Sequence, residues 1–248
     1  MPRSSTGPAL RRPIHWGVAP KPGGGVRHLV ALERPDDMAF ARSVARAAPA
    51  IRAALGQESF ANRVATWDGT RGPGLEPWTL ARQRWAGAVR RLGVEARFAV
   101  VTDAHECYGS IAPAAMVDRL RALGVPEACV QEIGSWLRVF RDAGVEGLPV
   151  GPEASAVLAD ALLSAGDDAI RATGAAHVRW VDDVVIFAAD IRTRTAALDA
   201  LRRAWGSLGL RLHDGKTALL DGPAGPSHPW TASNARVTSS APAIIRPT

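Results

Sequence analysis

Three aspartates in the sequence each stand where a short apolar run ends. Asp103 closes the run of residues 96–102, and Asp182 and Asp183 separate two β-prone runs within residues 178–188. The second pattern is typical of a tight β-hairpin that carries both carboxylates at its tip. Carboxylates held that close repel each other and raise each other's pKa unless a cation compensates. If these strands are neighbours in one sheet, the three acids converge at one edge and outline a metal site.

Magnesium would suit such a site, because it is a hard cation that prefers oxygen ligands. Two ions roughly 3.5–4 Å apart could activate an attacking 3′-hydroxyl and stabilise a leaving pyrophosphate. Plainer interpretations stay open, since an Asp-Asp pair is common on exposed turns and Asp103 could cap a helix or form a turn. The apolar flanks of Asp182 and Asp183 favour the metal site, because solvated turns rarely have such neighbours.

The composition allows a sizeable core and suits a polyanionic partner. The chain has 248 residues, 47% of them hydrophobic and 22% charged, with a formal net charge of +6. Its two cysteines, Cys107 and Cys129, are too few for a disulfide scaffold and lack the spacing of a zinc site. Neither a long apolar span nor a secretion signal occurs, so we expect no membrane partner and a cytoplasmic location.

Apolar periodicity and the placement of Gly and Pro predict the elements that must position the acids. Asp36 is expected to cap a helix that reaches Leu55, and residues 66–77 are expected to form a loop. Further helices are expected after this loop as far as 91, over 113–124 and 126–142, from 152 onward, and over 195–207. The strands expected are those around residues 96–103 and 178–188, a hairpin with its tip at 21–27, and a small strand pair at 210–212 and 217–220.

The acids belong to three longer stretches, Asp103–Ile111, Gly147–Ser155 and Trp180–Asp183. In order and spacing these stretches resemble three successive palm motifs of reverse transcriptases, in particular bacterial enzymes related to retron, group II intron and phage-defence types. Lys21–Arg27 is similar to the finger hairpin of that family, and Leu210–Thr217 to its fourth palm motif. The resemblance extends over residues 18–220, although Trp180, Ala104 and Cys107 depart from the usual motifs.

The resemblance implies an α+β fold with the fingers and palm of a right-hand polymerase, its antiparallel palm sheet flanked by helices. The implied division is a basic N-terminal arm over residues 1–20, fingers over 21–95, palm over 96–221 and a loosely ordered tail over 222–248. Asp103, Asp182 and Asp183 would hold two Mg²⁺ ions, which Mn²⁺ could replace. No helical thumb is evident, so a partner protein, a structured RNA or self-assembly could substitute for it.

The same resemblance assigns further residues to the nucleotide. Tyr108 would lie beneath the incoming sugar and select deoxynucleotides, Lys21 and Arg27 would reach the triphosphate, and Lys216 would protonate the departing pyrophosphate. Gly151 lies in a loop, and because it has no side chain it would let template and nucleotide approach the backbone closely. The plainer interpretations are a core tyrosine, solvated turn residues and an ordinary loop-to-helix turn.

The resulting hypothesis is an RNA-directed DNA polymerase that adds nucleotides from deoxynucleoside triphosphates to a DNA primer on an RNA template, and the resemblance to phage-defence enzymes implies a role in phage defence. One alternative is untemplated or protein-primed DNA synthesis by the same site. An alternative of another class is a non-catalytic subunit that binds nucleic acid through its basic surface. Retention of all three acids in the sequence argues against this last alternative.

Overall fold

The computed structural model describes residues 8–21, 25–68 and 72–221 of the chain. The strands of this part are β1 His15–Pro20, β2 Val26–Ala31, β3 Val64–Asp68, β4 Gly72–Leu75, β5 Phe98–Thr102, β6 Ala176–Trp180, β7 Asp183–Ala188 and β8 Ala218–Asp221. The helices are α1 Arg34–Ala54, α2 Trp78–Glu95, α3 Cys107–Ser110, α4 Pro113–Ala122, α5 Glu127–Asp142, α6 Glu153–Arg171 and α7 Ile191–Gly206, and a 3₁₀ turn spans Asp214–Lys216.

A four-stranded antiparallel sheet with the order β6-β7-β5-β8 forms the centre of the fold. Strand β7 is buried from Val184 to Ala188, which requires that both faces of the sheet be covered. Successive side chains of a strand point to opposite faces. Accordingly Val184 and Ile186 join the larger core, while Val185 and Phe187 join a second, smaller cluster. The predicted α+β class with an antiparallel sheet flanked by helices is confirmed.

Helices pack against both faces of the sheet. Helix α6 is buried along most of its length and contributes Leu158 and Leu162 to the larger core, which also holds Trp205 of α7. On the other face, Trp85 and Val89 of α2 pack in the smaller cluster. The sheet that ends in the acidic residues is therefore fixed between two layers.

Two predictions about strands were wrong. The expected loop at 66–77 contains a short antiparallel pair, β3 with β4. The segments at 210–212 and 217–220 do not pair with each other, because both lie along β5 and its continuation. Ala218 pairs with Val101, whereas Leu212 forms an isolated bridge to Ala104 beyond the strand's end. Tertiary pairing with β5 thus replaces the local hairpin that the sequence suggested.

The ends of two helices also differ from expectation. Helix α1 begins at Arg34, and Asp36 lies buried inside its first turn, where it accepts hydrogen bonds from the backbone of Arg11 and Arg12 at 2.9 and 3.1 Å. Asp36 therefore anchors the preceding segment and is not the cap. Helix α7 begins at Ile191, before the expected start at 195, because the Asp190 side chain caps it.

The N-terminal segment contains regular structure that the sequence did not suggest. Within the expected arm of residues 1–20, His15–Pro20 forms β1, which pairs along the whole of β2. The expected β-hairpin is present, because β1 and β2 pair on either side of residues 22–24. Its tip at 22–24, the start of the arm and the tail at 222–248 lie outside the described residues.

Candidate active site

Asp103, Asp182 and Asp183 lie together at one edge of the central sheet. Asp103 directly follows β5, Asp182 lies in the turn between β6 and β7, and Asp183 begins β7. Because Thr102 pairs with Val184 in antiparallel register, Asp103 and Asp183 are the next neighbours across the two strands. The convergence that the sequence suggested is thus present.

Burial and neighbouring charge change the protonation of Asp182 and Asp183. Burial raises the pKa of Asp183 to about 7, and the charges of Asp182 and Asp103 add to that rise. Asp183 as a whole residue is exposed, so this rise comes from the protein packed around its carboxyl group and not from burial of the entire side chain. Burial also raises the pKa of Asp182, and Asp103 contributes. Positive charge placed at this edge would stabilise the ionised forms.

Lys216 supplies part of that positive charge. Its Nζ donates to Asp103 Oδ2 at 2.5 Å, and this hydrogen bond is the main cause that raises the pKa of Lys216. Asp103 is only 5% exposed, and its other oxygen, Oδ1, is buried and accepts no hydrogen bond from the described part of the chain. A buried carboxylate oxygen without a donor is unfavourable, so Asp103 still has the capacity to bind a cation.

The donor set fits magnesium in its chemistry. Among residues 8–21, 25–68 and 72–221, no three acidic, histidine or cysteine side chains are arranged to hold a metal ion by themselves. Mg²⁺ is commonly held by one or two carboxylates together with water and substrate phosphates, without a cage built only of protein. Asp103, Asp182 and Asp183 can supply those carboxylates, and the orphaned Oδ1 of Asp103 is consistent with that use.

Two of the predicted nucleotide-binding residues lie within electrostatic range of the acids. Burial raises the pKa of Tyr108, and the charges of Asp182 and Arg27 also act on its hydroxyl. Arg27 likewise lowers the pKa of Asp182. Lys21 is exposed at the end of β1, and within the described residues its one recorded hydrogen bond joins its backbone to Gly25. The structure therefore places Tyr108 and Arg27 within electrostatic range of Asp182 and leaves Lys21 on the surface.

The structure shows why residue 151 is a glycine, which the sequence did not reveal. Its φ is +145°, and a Cβ there would lie 2.2 Å from the backbone oxygen of Val30 in β2. The Val30 backbone N–H also donates to Val150 at 2.7 Å. The absent side chain thus lets the β1–β2 hairpin contact the loop before α6. Gly147 similarly permits contact with the backbone of Tyr108, where a Cβ would lie 2.0 Å from the carbonyl oxygen.

Sequence reasoning missed two arginines near the acids. Arg179 is fully buried in β6 and donates to the backbone oxygen of Val181, next to Asp182. A charged residue inside an apolar strand was the signal that could have identified it. Arg82 of α2 lies over the rings of Trp85 and Trp180, with its guanidinium carbon 4.2 and 5.1 Å from their centroids. Its charge lowers the pKa of Asp183, so α2 contributes to the electrostatics of the acidic edge.

A protein-family profile matches most of the chain. The profile of the family described as reverse transcriptase (RNA-dependent DNA polymerase) matches residues 20–232, which is more than half of the chain. The chain belongs to the reverse transcriptase family. Reverse transcriptases are nucleotidyltransferases, and the matched region contains all three aspartates and Lys216. Comparison with curated protein sequences finds no match.

Solved telomerase structures share the fold of this reverse transcriptase region. Apo telomerase from Candida tropicalis matches with a TM-score of 0.59 and 14% identity, over 91% of this chain and 46% of its own. Apo telomerase from the same organism, truncated from its C-terminal domain, matches with a TM-score of 0.58 and 13% identity, over 88% of this chain and 52% of its own. Telomerase from Candida albicans in complex with a TWJ fragment of telomeric RNA matches with a TM-score of 0.55 and 12% identity, over 83% of this chain and 41% of its own. The chain therefore spans about half the length of these telomerases, and at these identities the likeness concerns the fold alone.

The predicted family is confirmed, whereas the bacterial, retron-like or phage-defence subtype stays a prediction from the motifs. The helices of the described residues include none that is both long and apolar enough to cross a membrane.

Proposed function

We propose that this reverse transcriptase region adds deoxynucleotides to the 3′ end of a DNA primer on an RNA template. The observation that carries the proposal is the convergence of Asp103, Asp182 and Asp183 at one sheet edge, where burial, together with repulsion among the acids, raises the pKa of the last two. Such a site is suited to binding cations and, through them, triphosphates. The family match supports the polymerase chemistry in general.

The three acids and the residues around them have separate roles in the proposed reaction. Asp103, Asp182 and Asp183 would hold Mg²⁺, which when bound supplies charge neutralisation for phosphoryl transfer. Lys216 is held beside Asp103 in its protonated form and would deliver a proton to the leaving pyrophosphate. Arg27 would neutralise triphosphate charge, and Tyr108 would close the space beside the sugar. Lys21, exposed at the hairpin, would reach only the outer phosphates.

The finer assignments follow from the motifs. We place the fingers at 21–95, extended by β1 to His15, and the palm at 96–221. The resemblance to retron, group II intron and phage-defence enzymes supports a bacterial type with a role in defence. The net charge of +6 is consistent with an RNA and DNA partner.

Substitution of Asp182 by Asn tests the proposal. Asp182→Asn removes a metal-binding charge with little change in volume, so primer extension on an RNA template should be abolished while the fold and RNA binding persist. Asp199→Asn is the matched control, because Asp199 is half-buried on α7 and pairs only with Arg202 among the described residues. Its extension rate should equal that of the wild type. Extension by Asp182→Asn at the wild-type rate would refute the metal site, and loss of RNA binding alone would indicate a binding role.

A further inference from the structure

Arg179 is an arginine with no solvent exposure, three residues before Asp182. Its guanidinium donates twice from Nε and once from Nη2 to Asp167, at 2.9, 2.9 and 2.7 Å. Nη1 donates to Asp160 Oδ1 at 2.6 Å and to the Val181 backbone oxygen at 2.8 Å. One side chain therefore links helix α6 to the turn that carries Asp182.

The α6 side of this link is itself held by other groups. Asp160 accepts hydrogen bonds from Ser59 Oγ at 3.0 and 3.2 Å, and Asp167 Oδ1 lies 3.2 Å from His177 Nε2. Burial opposes the charge on Asp167, but Arg179 and His177 outweigh it and lower its pKa to about 2. The guanidinium is thus fixed in orientation by two carboxylates that are both 1% exposed.

The backbone of β6 adds a second restraint at the same residue. The Arg179 N–H donates to the Glu58 carbonyl at 2.8 Å, and its carbonyl accepts from Phe60 N–H at 3.1 Å. The segment from Glu58 to Phe60 therefore pairs with β6 at the position of Arg179. Both the side chain and the backbone of Arg179 are immobilised before the chain reaches the acidic turn.

That turn has an unfavourable backbone conformation. Val181 has a φ of +55°, which lies in the left-handed region that β-branched residues avoid. An αL residue at this point directs the chain into the tight turn from which Asp182 projects beside Asp103 and Asp183. Because local preference disfavours the conformation, a tertiary contact must stabilise it. The hydrogen bond from Arg179 Nη1 to the Val181 carbonyl is such a contact.

We propose that Arg179 is a positioning residue, which fixes the Val181 turn and thereby sets the mutual placement of the metal-binding carboxylates Asp182 and Asp183. The inference rests on the proposed function, because it assigns metal binding to those two residues. Arg179 itself touches neither substrate nor metal. Its effect is transmitted through the Val181 carbonyl, so a shorter cation that still neutralises Asp167 should not replace it.

Arg179→Lys is the direct test. Lysine keeps one positive charge but cannot donate to Asp167, Asp160 and Val181 at once. Binding of Mn²⁺ in the presence of a deoxynucleoside triphosphate, without primer, is measured by the electron paramagnetic resonance of free Mn²⁺. The apparent affinity should fall about 10–100-fold, as is usual when a group that orients metal ligands is changed. Amide hydrogen exchange of residues 181–183 should become faster in the same variant.

Arg119→Lys is the matched control. Arg119 of α4 also binds helix α6, through the Ala161 carbonyl at 3.2 Å, Ser164 Oγ at 2.7 Å and Asp168 at 3.0 Å. It makes no recorded contact with the acidic turn within the described residues. Its replacement should lower stability without altering Mn²⁺ affinity or exchange at 181–183. Equal effects of the two variants would overturn the proposal, because they would indicate general loosening of α6.

Val181→Gly in the Arg179→Lys background adds a test of mechanism. Glycine adopts a φ of +55° without steric cost, so the double variant should regain part of the lost Mn²⁺ affinity. A purely structural role for Arg179 predicts no recovery, and that result would also overturn the proposal.

If Arg179→Lys does not fold, Asp160→Asn replaces it, because this change removes the charge partner of Nη1 and keeps an acceptor for Ser59.

The same measurements distinguish a failure of this inference from a failure of the proposed function. If wild-type protein binds no Mn²⁺ and extends no primer, the proposed function fails, whereas exchange at 181–183 still reports whether Arg179 holds the turn. If wild type binds Mn²⁺ and Arg179→Lys matches it in affinity and exchange, only the role of Arg179 is refuted.

Discussion

The ammonium of Lys216 lies 2.5 Å from Oδ2 of Asp103, so a carboxylate proposed to bind metal is paired with the lysine proposed to donate a proton. The contact joins residues 113 positions apart. Lys216 is 62% exposed in its side chain, whereas that of Asp103 is 8% exposed. The lysine can therefore move toward solvent and substrate while Asp103 stays fixed.

Replacement of Lys216 tests its role as proton donor. Lys216→Met keeps the length of the side chain but removes the proton, so the rate of nucleotide addition should fall by roughly 10²–10⁴-fold, the usual contribution of a general acid. Single-turnover incorporation isolates this step from product release. Lys21→Met, at the only other lysine, is the control and should alter the KM for nucleotide more than kcat. A large fall in kcat for both variants would contradict the assignment.

The raised pKa of Asp183 predicts a dependence of stability on pH. The folded-state pKa of Asp183 is about 7 and the ordinary pKa of an aspartate is 3.8, so the folded protein retains the proton more strongly between these values. The free energy of unfolding should therefore fall as pH rises from about 4 to about 7, in a chelator. Thermal unfolding between pH 5 and 8 measures this trend.

Asp183→Asn should flatten that trend and raise the Tm above pH 7, since it removes one of the repelling charges. For a chain of this size, each 1 kcal/mol corresponds to roughly 2–4 °C in Tm. Mg²⁺ should raise the Tm of the wild type at pH 8 and have little effect on the variant. A Tm of the wild type that rises with pH in chelator would be inconsistent with the geometry of the three carboxylates.

Tyr108 provides a test of sugar selection. If its ring closes the space beside the sugar, Tyr108→Ala should raise the efficiency of ribonucleotide use relative to deoxynucleotide use. Tyr108→Phe is the control, because it keeps the ring and should leave the ratio unchanged. Tyr108 is half-buried, so its truncation should cost up to about 3–5 kcal/mol of stability, and both proteins are compared where each is folded. An unchanged ratio in Tyr108→Ala would assign the ring to the core alone.

Gly151 tests the contact between the β1–β2 hairpin and the loop before α6. In Gly151→Ala, the Cβ would lie 2.2 Å from the Val30 oxygen at a φ of +145°, so β2 or the loop must shift. We expect a loss of about 1–3 kcal/mol in the free energy of unfolding, measured in urea, and a higher KM for nucleotide. Gly87→Ala in α2 is the control, since its Cβ would meet nothing within 4 Å and helix propensity should add up to about 1 kcal/mol. Equal stability of the two variants would contradict a close contact at Gly151.

The sequence alone predicted the elements that local pattern defines. Asp103 at the end of an apolar run and Asp182-Asp183 between two such runs were sufficient to place all three acids at strand ends, which the structure confirms. The limits of α4 and α5 followed from Pro113, Gly124 and Pro126, because proline and glycine restrict helix ends through the chain's own geometry. The motif order also predicted the family correctly.

Only the tertiary structure decided which distant groups meet. The pairing of β8 with β5 and the strands within residues 64–75 depend on hydrogen bonds between segments whose own patterns are weak. The bonds from Arg179 to Asp160 and Asp167 join a strand to a helix, and no periodicity marks them in advance. Likewise, the sequence gives Val181 no tendency toward a left-handed turn. Local preference there opposes the observed conformation, so packing and buried hydrogen bonds must determine it.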